Sequence, residues 1–279
     1  MARNCVASID LSAIKKNYLY AKSLAPKSNA IAVIKANAYG HGAIKVASHL
    51  ETSADCFGVA CIEEALDLTN AGILKAPILL LEGVFEESEL SLVDRNSFWM
   101  VVCNTAQIEW ILKSKPINKY DIFVKIDTGM GRLGFQEEDS IKVISALEKS
   151  NNVRKITLMT HFSSADNQGS DSTKTQINKF NEIIETKQND QSLSNSAAIL
   201  SWPEAHSEFT RPGIMLYGSS PFSFDEQPNE LISAMTLETS LISLKKFKSG
   251  DTIGYGQRYV CKKDTLIGVA AIGYADGYP

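Results

Sequence analysis

From the N-terminus to Pro221, short apolar runs alternate with longer amphipathic stretches, and few folds accept that rhythm. The runs are Ala30–Lys35, Cys56–Ala60, Ala76–Leu81, Phe98–Cys103, Asp121–Ile126, Ile156–Thr160, Gln191–Leu193 and, less clearly, Glu208–Phe209. The stretches include Ala43–Leu50, Glu63–Asn70, Thr105–Lys113, Glu137–Lys149 and Thr173–Thr186, with apolar residues three and four apart, as at Ile141, Ile144 and Leu147. Strands apolar on both faces must be covered on both sides, which argues a parallel sheet wrapped by helices. About eight such βα units in roughly 220 residues suit an α/β fold of the closed (β/α)8 TIM-barrel type. An open doubly wound sheet is the alternative, but its Gly-rich turn after the first strand is missing.

Beyond Pro221 the pattern changes. The connector FSFDEQPNE is polar and carries a proline, and the residues after it alternate as β-strands do, with a turn signal at Ser249-Gly250-Asp251. The expected division is therefore a barrel over 1–221 and an all-β domain over 222–279. Roughly 58 residues are few for an independent core, so this second domain is expected to be incomplete.

Composition excludes several functions. The net charge of -4 is spread along the chain with no basic cluster, which argues against nucleic acid. No apolar run approaches the ~20 residues of a membrane span, and the N-terminal segment lacks the apolar core of a signal peptide. Five cysteines, odd in number and without metal spacing, fit free thiols in a reducing cytoplasm. Four dispersed histidines give no metal motif.

Barrel chemistry sits at the C-terminal ends of the strands, so the unusual residues are collected there. Lys35 stands at the end of the first apolar run in AVIKANAYGHG. An amine desolvated by such neighbours has a lowered pKa and can attack a carbonyl, although a lysine reaching past a strand edge is an equally ordinary outcome. Tyr39 follows within reach of the same ligand. After the fifth strand, KIDTGMGRLGF places three glycines around Arg132, which lets backbone approach a ligand while the guanidinium holds an oxyanion. His161 follows the sixth strand, where a single histidine is more often structural. Asn195 and Ser196 open a short helix after the seventh, as phosphate ligands or as a plain cap. Arg211, Gly213 and Ile214 follow the eighth, and the last two could complete a phosphate cup with their N–H groups. Each signal is weak alone; their joint placement at strand ends is not.

These motifs resemble those of the alanine racemase family. AVIKANAYGHG is similar to its pyridoxal-phosphate lysine motif, and KIDTGMGRLGF, HFSSAD, SNSAA, RPGIMLYG, YGQRY and GYADGYP follow in the family's order. The resemblance implies pyridoxal 5'-phosphate as cofactor and L- and D-alanine as substrates, with D-alanine supplied for peptidoglycan. Lys35 would link covalently to the cofactor and act as one base. Tyr39, Ser196, Gly213 and Ile214 would hold the phosphate, Asn195 would be a further cofactor-binding residue, Arg211 would face the pyridine nitrogen, and His161 would lie beside Arg211. Arg132 would meet the phenolic oxygen and the substrate carboxylate, oriented by Lys125, a position often carbamylated in the family. Tyr255 would be the second base and Tyr274 would stand at the substrate entrance. In the family that second base comes from a partner subunit, so a homodimer is implied.

The resemblance also implies a longer β-domain than this chain carries, which leaves open a cofactor-binding protein without activity. A racemase of another small amino acid, such as serine, is a further alternative. A barrel decarboxylase of basic amino acids is a third, but it would be expected to hold an acid where Arg211 stands.

Overall fold

A computed structural model gives the structure of residues 3–223 and 230–278; residues 224–229, most of the FSFDEQPNE connector, lie outside the described residues. The chain forms two compact units, one over Leu11–Ala234 and one that joins residues up to Asp10 with residues from Met235 onward. The first strand, β1 (Cys5–Ile9), pairs antiparallel with β10 (Met235–Thr239). The sequence reading put residues 1–10 with the barrel. Five residues without clear alternation carry no signal of a partner more than 220 positions away.

The larger unit is built on eight parallel strands: β2 (Asn29–Val33), β3 (Cys56–Val59), β4 (Ile78–Leu80), β5 (Trp99–Val102), β6 (Tyr120–Lys125), β7 (Val153–Met159), β8 (Asp190–Ser192) and β9 (Phe209–Thr210). Their order is β8-β7-β6-β5-β4-β3-β2-β9, so sequential strands are neighbours and β9 returns beside β2. The seam between β8 and β9 is closed without a regular ladder. The Arg211 N–H donates to the Ser194 carbonyl at 2.9 Å, and the Ser192 hydroxyl donates to the Phe209 carbonyl at 3.1 Å. The result is the TIM barrel expected from the alternation.

Helices cover the outside: α1 (Leu11–Leu24), α2 (Ala43–Leu50), α3 (Ile62–Asn70), α4 (Leu90–Asn96), α5 (Thr105–Lys113), α6 (Glu137–Glu148), α7 (Ser172–Ile184) and α8 (Ser196–Ser201). Two of them, α2 and α5, run as the periodicity predicts. Asn104 caps α5 by accepting the Gln107 N–H at 3.0 Å. The helices at α1 and α4 were not predicted. The barrel interior is filled by Ile31, Cys56, Leu79, Val101, Phe123, Met159 and Phe209, with the rings of Trp99, Phe123 and Phe209 in mutual contact. Full burial of each large apolar side chain contributes about 1.5–3 kcal/mol, so the strands are fixed by what lies between them.

In the smaller unit, β11 (Leu241–Phe247) pairs antiparallel with β14 (Thr265–Ala270), and β12 (Thr252–Ile253) with β13 (Tyr259–Val260). Gly250, in the expected turn, takes φ 95°, a left-handed conformation that suits glycine. Arg3 and Asp276 form an ion pair in this unit, with Nη1 donating to Oδ2 at 3.0 Å.

Candidate active site

Strand β2 ends at Val33, two residues before the lysine it was expected to contain. Ile34 is buried, and Lys35 opens a turn, Lys35–Tyr39, that winds the wrong way. Ala36, Asn37, Ala38 and Tyr39 have φ of 51°, 54°, 54° and 54°. The left-handed helix costs roughly 1–2 kcal/mol per residue with a Cβ, so the surroundings must hold this turn. At its far end, the Asn37 carboxamide oxygen accepts the Ala43 N–H at 2.9 Å. The His41 ring stacks on Tyr217 at 4.4 Å, and Tyr217 lies 5.0 Å from the Tyr39 ring. Tyr217 is anchored in turn by its hydroxyl, which donates to the Val33 carbonyl at 3.0 Å. Lys35 is therefore half-buried at a cavity wall rather than enclosed in a strand.

That cavity, about 730 Å³, opens at the C-terminal ends of the strands. It is lined by Lys35 and Tyr39 after β2, Lys125 and Arg132 after β6, and His161 after β7. Asn195 and Ser196 after β8, and Arg211, Gly213 and Ile214 after β9, complete the set expected within the barrel. Asn195 is also the cap of α8, its side chain accepting the Ala198 N–H at 3.1 Å. The Ser196 hydroxyl accepts the Gly213 N–H at 2.9 Å and the Met215 N–H at 3.4 Å. A Cβ on Gly213 would fall 3.2 Å from the Tyr39 hydroxyl and 3.8 Å from the Ser196 hydroxyl. Glycine thus leaves a small hollow walled by two hydroxyls.

Arg211 is buried, and its planar fork is fully engaged at both tips. Nη1 donates to the Ser192 carbonyl (2.8 Å) and hydroxyl (2.6 Å); Nη2 donates to the carbonyls of Thr160 (2.6 Å) and Leu193 (3.0 Å). Nε makes none of these bonds. His161 Nδ1 lies 3.4 Å from Nη2. Burial lowers Arg211 from 12.5 to about 9, which still leaves it protonated at neutral pH. Burial, then Arg211, Lys125 and Arg132, lowers His161 from 6.5 to about 3, so the ring is neutral. Burial, then Arg211 and Arg132, lowers Lys125 from 10.5 to about 8. With Lys35, Lys125, Arg132 and Arg211 set against Glu82 and Asp166, the lining is on balance cationic and suits an anionic ligand.

Arg132 is exposed on a loop that folds back on β6. The Phe135 N–H donates to the Lys125 carbonyl at 2.9 Å, and Asp127 accepts the Gly129 and Gly131 N–H groups, both at 3.0 Å. Three positioning residues escaped the sequence reading. Gln176 Nε2 donates to Thr128 Oγ1 at 3.0 Å, Thr128 lies 2.7 Å from Thr160 Oγ1, and Thr160 donates to the Ile126 carbonyl at 2.9 Å. Gln176 also donates to the His161 carbonyl (3.1 Å) and accepts the Ser163 N–H (3.0 Å). A signal existed: Gln176 shares the buried stripe of α7 with Ile177, Phe180 and Ile183, and a buried amide needs partners. Tyr255 and Tyr274 are not among the cavity-lining residues. Both belong to the smaller unit and both are fully exposed.

Among the described residues, no helix is long and apolar enough to cross a membrane, and no group of three or more His, Cys, Asp or Glu could hold a metal ion. All five cysteines are free. The alanine racemase N-terminal domain family matches residues 9–221, and the alanine racemase C-terminal domain family matches residues 234–279. The chain belongs to the alanine racemase family. It is 46% identical over 277 residues to the catabolic alanine racemase of Pseudomonas putida, an alignment that covers 98% of this chain and 76% of that one. The biosynthetic alanine racemase from Pseudomonas aeruginosa superposes with a TM-score of 0.94 at 41% identity, over 99% of this chain and 77% of that chain. The alanine racemase from Bartonella henselae, solved with covalently bound pyridoxal phosphate, superposes with a TM-score of 0.87 at 28% identity, over 100% and 78% of the two chains. This racemase-family barrel thus carries its strand-end residues on the scaffold of enzymes that act on an amino acid.

Proposed function

We propose that this chain interconverts L-alanine and D-alanine with pyridoxal 5'-phosphate held covalently by Lys35, in the cytoplasm and in the service of peptidoglycan synthesis. The observation that carries the proposal is the gathering of Lys35, Arg211 and the hollow between Tyr39, Ser196 and Gly213 on one cationic cavity. The residues fit the cofactor. Tyr39, Ser196, Gly213 and the neighbouring Ile214 would hold its phosphate, and Lys35 would take its aldehyde carbon. A relative from Bacillus anthracis, 30% identical, was solved with bound L-Ala-P.

When bound, the pyridoxal group supplies the electron sink that makes the amino acid's α-hydrogen acidic. Racemisation then needs one base on each face of the α-carbon. Lys35 Nζ moves the proton on one face. Tyr255 of the partner subunit moves it on the other, which fits a tyrosine exposed on a separate unit and implies a homodimer. Arg211 would present its Nε toward the ring nitrogen and would keep its own protons, because a guanidinium is a very weak acid. That would restrain the sink and favour return of the proton over side reactions. Arg132 holds the substrate carboxylate, and Tyr274 of the partner subunit guards the entrance. Lys125, beside Arg132 and pulled down to about 8, is neutral often enough to react with carbon dioxide, which would turn a repelling cation into an anion that orients Arg132.

The deciding experiment is exchange of D- and L-alanine with added cofactor, beside serine as a competing substrate. Racemisation of alanine supports the proposal. A bound cofactor with no racemisation at high protein concentration would reduce the chain to a carrier. Tyr255→Phe is expected to slow proton removal from L-alanine more than from D-alanine; equal loss would contradict the two-base assignment.

A further inference from the structure

The strained turn that begins at Lys35 is pinned at its start by a residue on a different element. Glu64, in the first turn of α3, is half-buried and uses both carboxylate oxygens. Oε1 accepts the Ala36 N–H at 2.7 Å, and Oε2 accepts the Ala60 N–H at 2.8 Å. Ala36 is the first of the four left-handed residues, and its N–H belongs to the peptide plane that leaves Lys35. Ala60 directly follows β3, the strand beside β2. On the other side of Lys35, the Ile34 carbonyl, which belongs to the peptide plane that enters Lys35, accepts the Ala38 N–H at 2.8 Å, and the plane before that is tied to β3 by the Ile34 N–H, which donates to the Gly58 carbonyl at 2.8 Å.

Peptide planes are rigid, so fixing those on both sides of Lys35 fixes the direction of its Cα–Cβ bond. The Ala38 N–H on the Ile34 carbonyl fixes the plane before, one peptide beyond the β2–β3 pairing; Glu64 fixes the plane after. From this we infer that Glu64 is a positioning residue for Lys35: it ties the Lys35–Ala36 peptide to the end of β3 and so aims the amine into the cavity. The inference rests on the reading of Lys35 as the cofactor's anchor.

The chemistry of the clamp makes the substitution informative. A glutamine has one acceptor oxygen, so at Glu64→Gln one of the two N–H groups faces an amide N–H instead. Glu64→Asp keeps the charge but is one methylene too short to reach both. Glu51 offers a control. It accepts the Leu74 and Lys75 N–H groups at 2.9 and 3.2 Å, away from the cavity.

The test follows capture of pyridoxal 5'-phosphate by the full-length apo-protein, read as growth of the visible band of the lysine imine, beside thermal unfolding of each apo-protein. Loss of one charged hydrogen bond at the clamp is expected to slow capture by Glu64→Gln by roughly tenfold to a hundredfold. Glu51→Ala is expected to lower the unfolding temperature but capture at the parent rate. Capture by Glu64→Gln at the parent rate overturns the inference; so does a slowing matched by Glu51→Ala. If Glu64→Gln does not fold, Glu64→Asp decides, and parent-rate capture there overturns it equally. Lys35→Ala separates the two ideas. A band that survives Lys35→Ala refutes the anchor, whereas a band lost in Lys35→Ala and unaffected in Glu64→Gln refutes only the positioning role.

Discussion

Replacing Arg211 with lysine keeps the charge and removes the fork. The two tips of Arg211 serve four acceptors: the Ser192 carbonyl and hydroxyl from Nη1, and the Thr160 and Leu193 carbonyls from Nη2. A single ammonium can stand in for one tip. The two acceptors of the other tip lose their donor, and each buried unsatisfied group costs about 1–3 kcal/mol, giving ~2–6 kcal/mol in all. The loss falls on the β8–β9 seam of the barrel, because Arg211 follows β9 while Ser192 and Leu193 lie at the end of β8, with Thr160 just beyond β7. All three tryptophans, Trp99, Trp110 and Trp202, lie in the barrel unit, so their fluorescence reports its unfolding. With a urea slope of about 3 kcal/mol/M, the midpoint should fall by about 0.7–2 M. An unchanged midpoint would refute the view that the planar fork, rather than the charge, holds the seam.

Three other outcomes follow from the same geometry. His161 binds a proton more readily unfolded (6.5) than folded (about 3), so its contribution is fully present above pH 6.5 and is lost as pH falls toward 3. His161→Asn should therefore flatten the rise of apo-protein stability across that window, a difference of at most ~5 kcal/mol; an unaltered profile would exclude the histidine as its source. Gln176→Leu strands the His161 carbonyl and the Ser163 N–H and leaves Thr128 with Thr160 alone, and should cost about 1–3 kcal/mol per group left buried and unpaired, with a higher KM for alanine as the Arg132 loop loosens. Gly213→Ala places a Cβ 3.2 Å from the Tyr39 hydroxyl. Overpacking of about 1–3 kcal/mol should raise the Kd for pyridoxal 5'-phosphate at least ~5-fold while the barrel stays folded.

The barrel was legible because its strands are apolar on both faces and its helices keep their period; α2 and α5 match residue for residue. Helix α1 was missed because LSAIKKNYLYAKSL places lysines and an asparagine among its apolar residues, and Asn17 turns out to be buried on partners far away in sequence, the Leu216 and Ile232 carbonyls. The site residues inside the barrel were legible as strand-end anomalies and as matches to a family's motifs. The left-handed turn was not. Nothing in KANAY distinguishes it from an ordinary helical turn, since no glycine marks Ala36 to Tyr39; long-range partners such as Glu64 and Tyr217 add to the local bonds that hold that backbone. Nor was the half-burial of Lys35, because the apolar run continued past the point where the ladder ends.

The central claim is that Lys35 carries the cofactor. Borohydride reduction of the cofactor-loaded protein fixes the imine as a stable amine, and peptide mass spectrometry then locates the pyridoxyl group. The account predicts the label on Lys35, in the peptide that runs through AVIKANAYGHG. A label on any other lysine, Lys125 included, or no label at all, would contradict it.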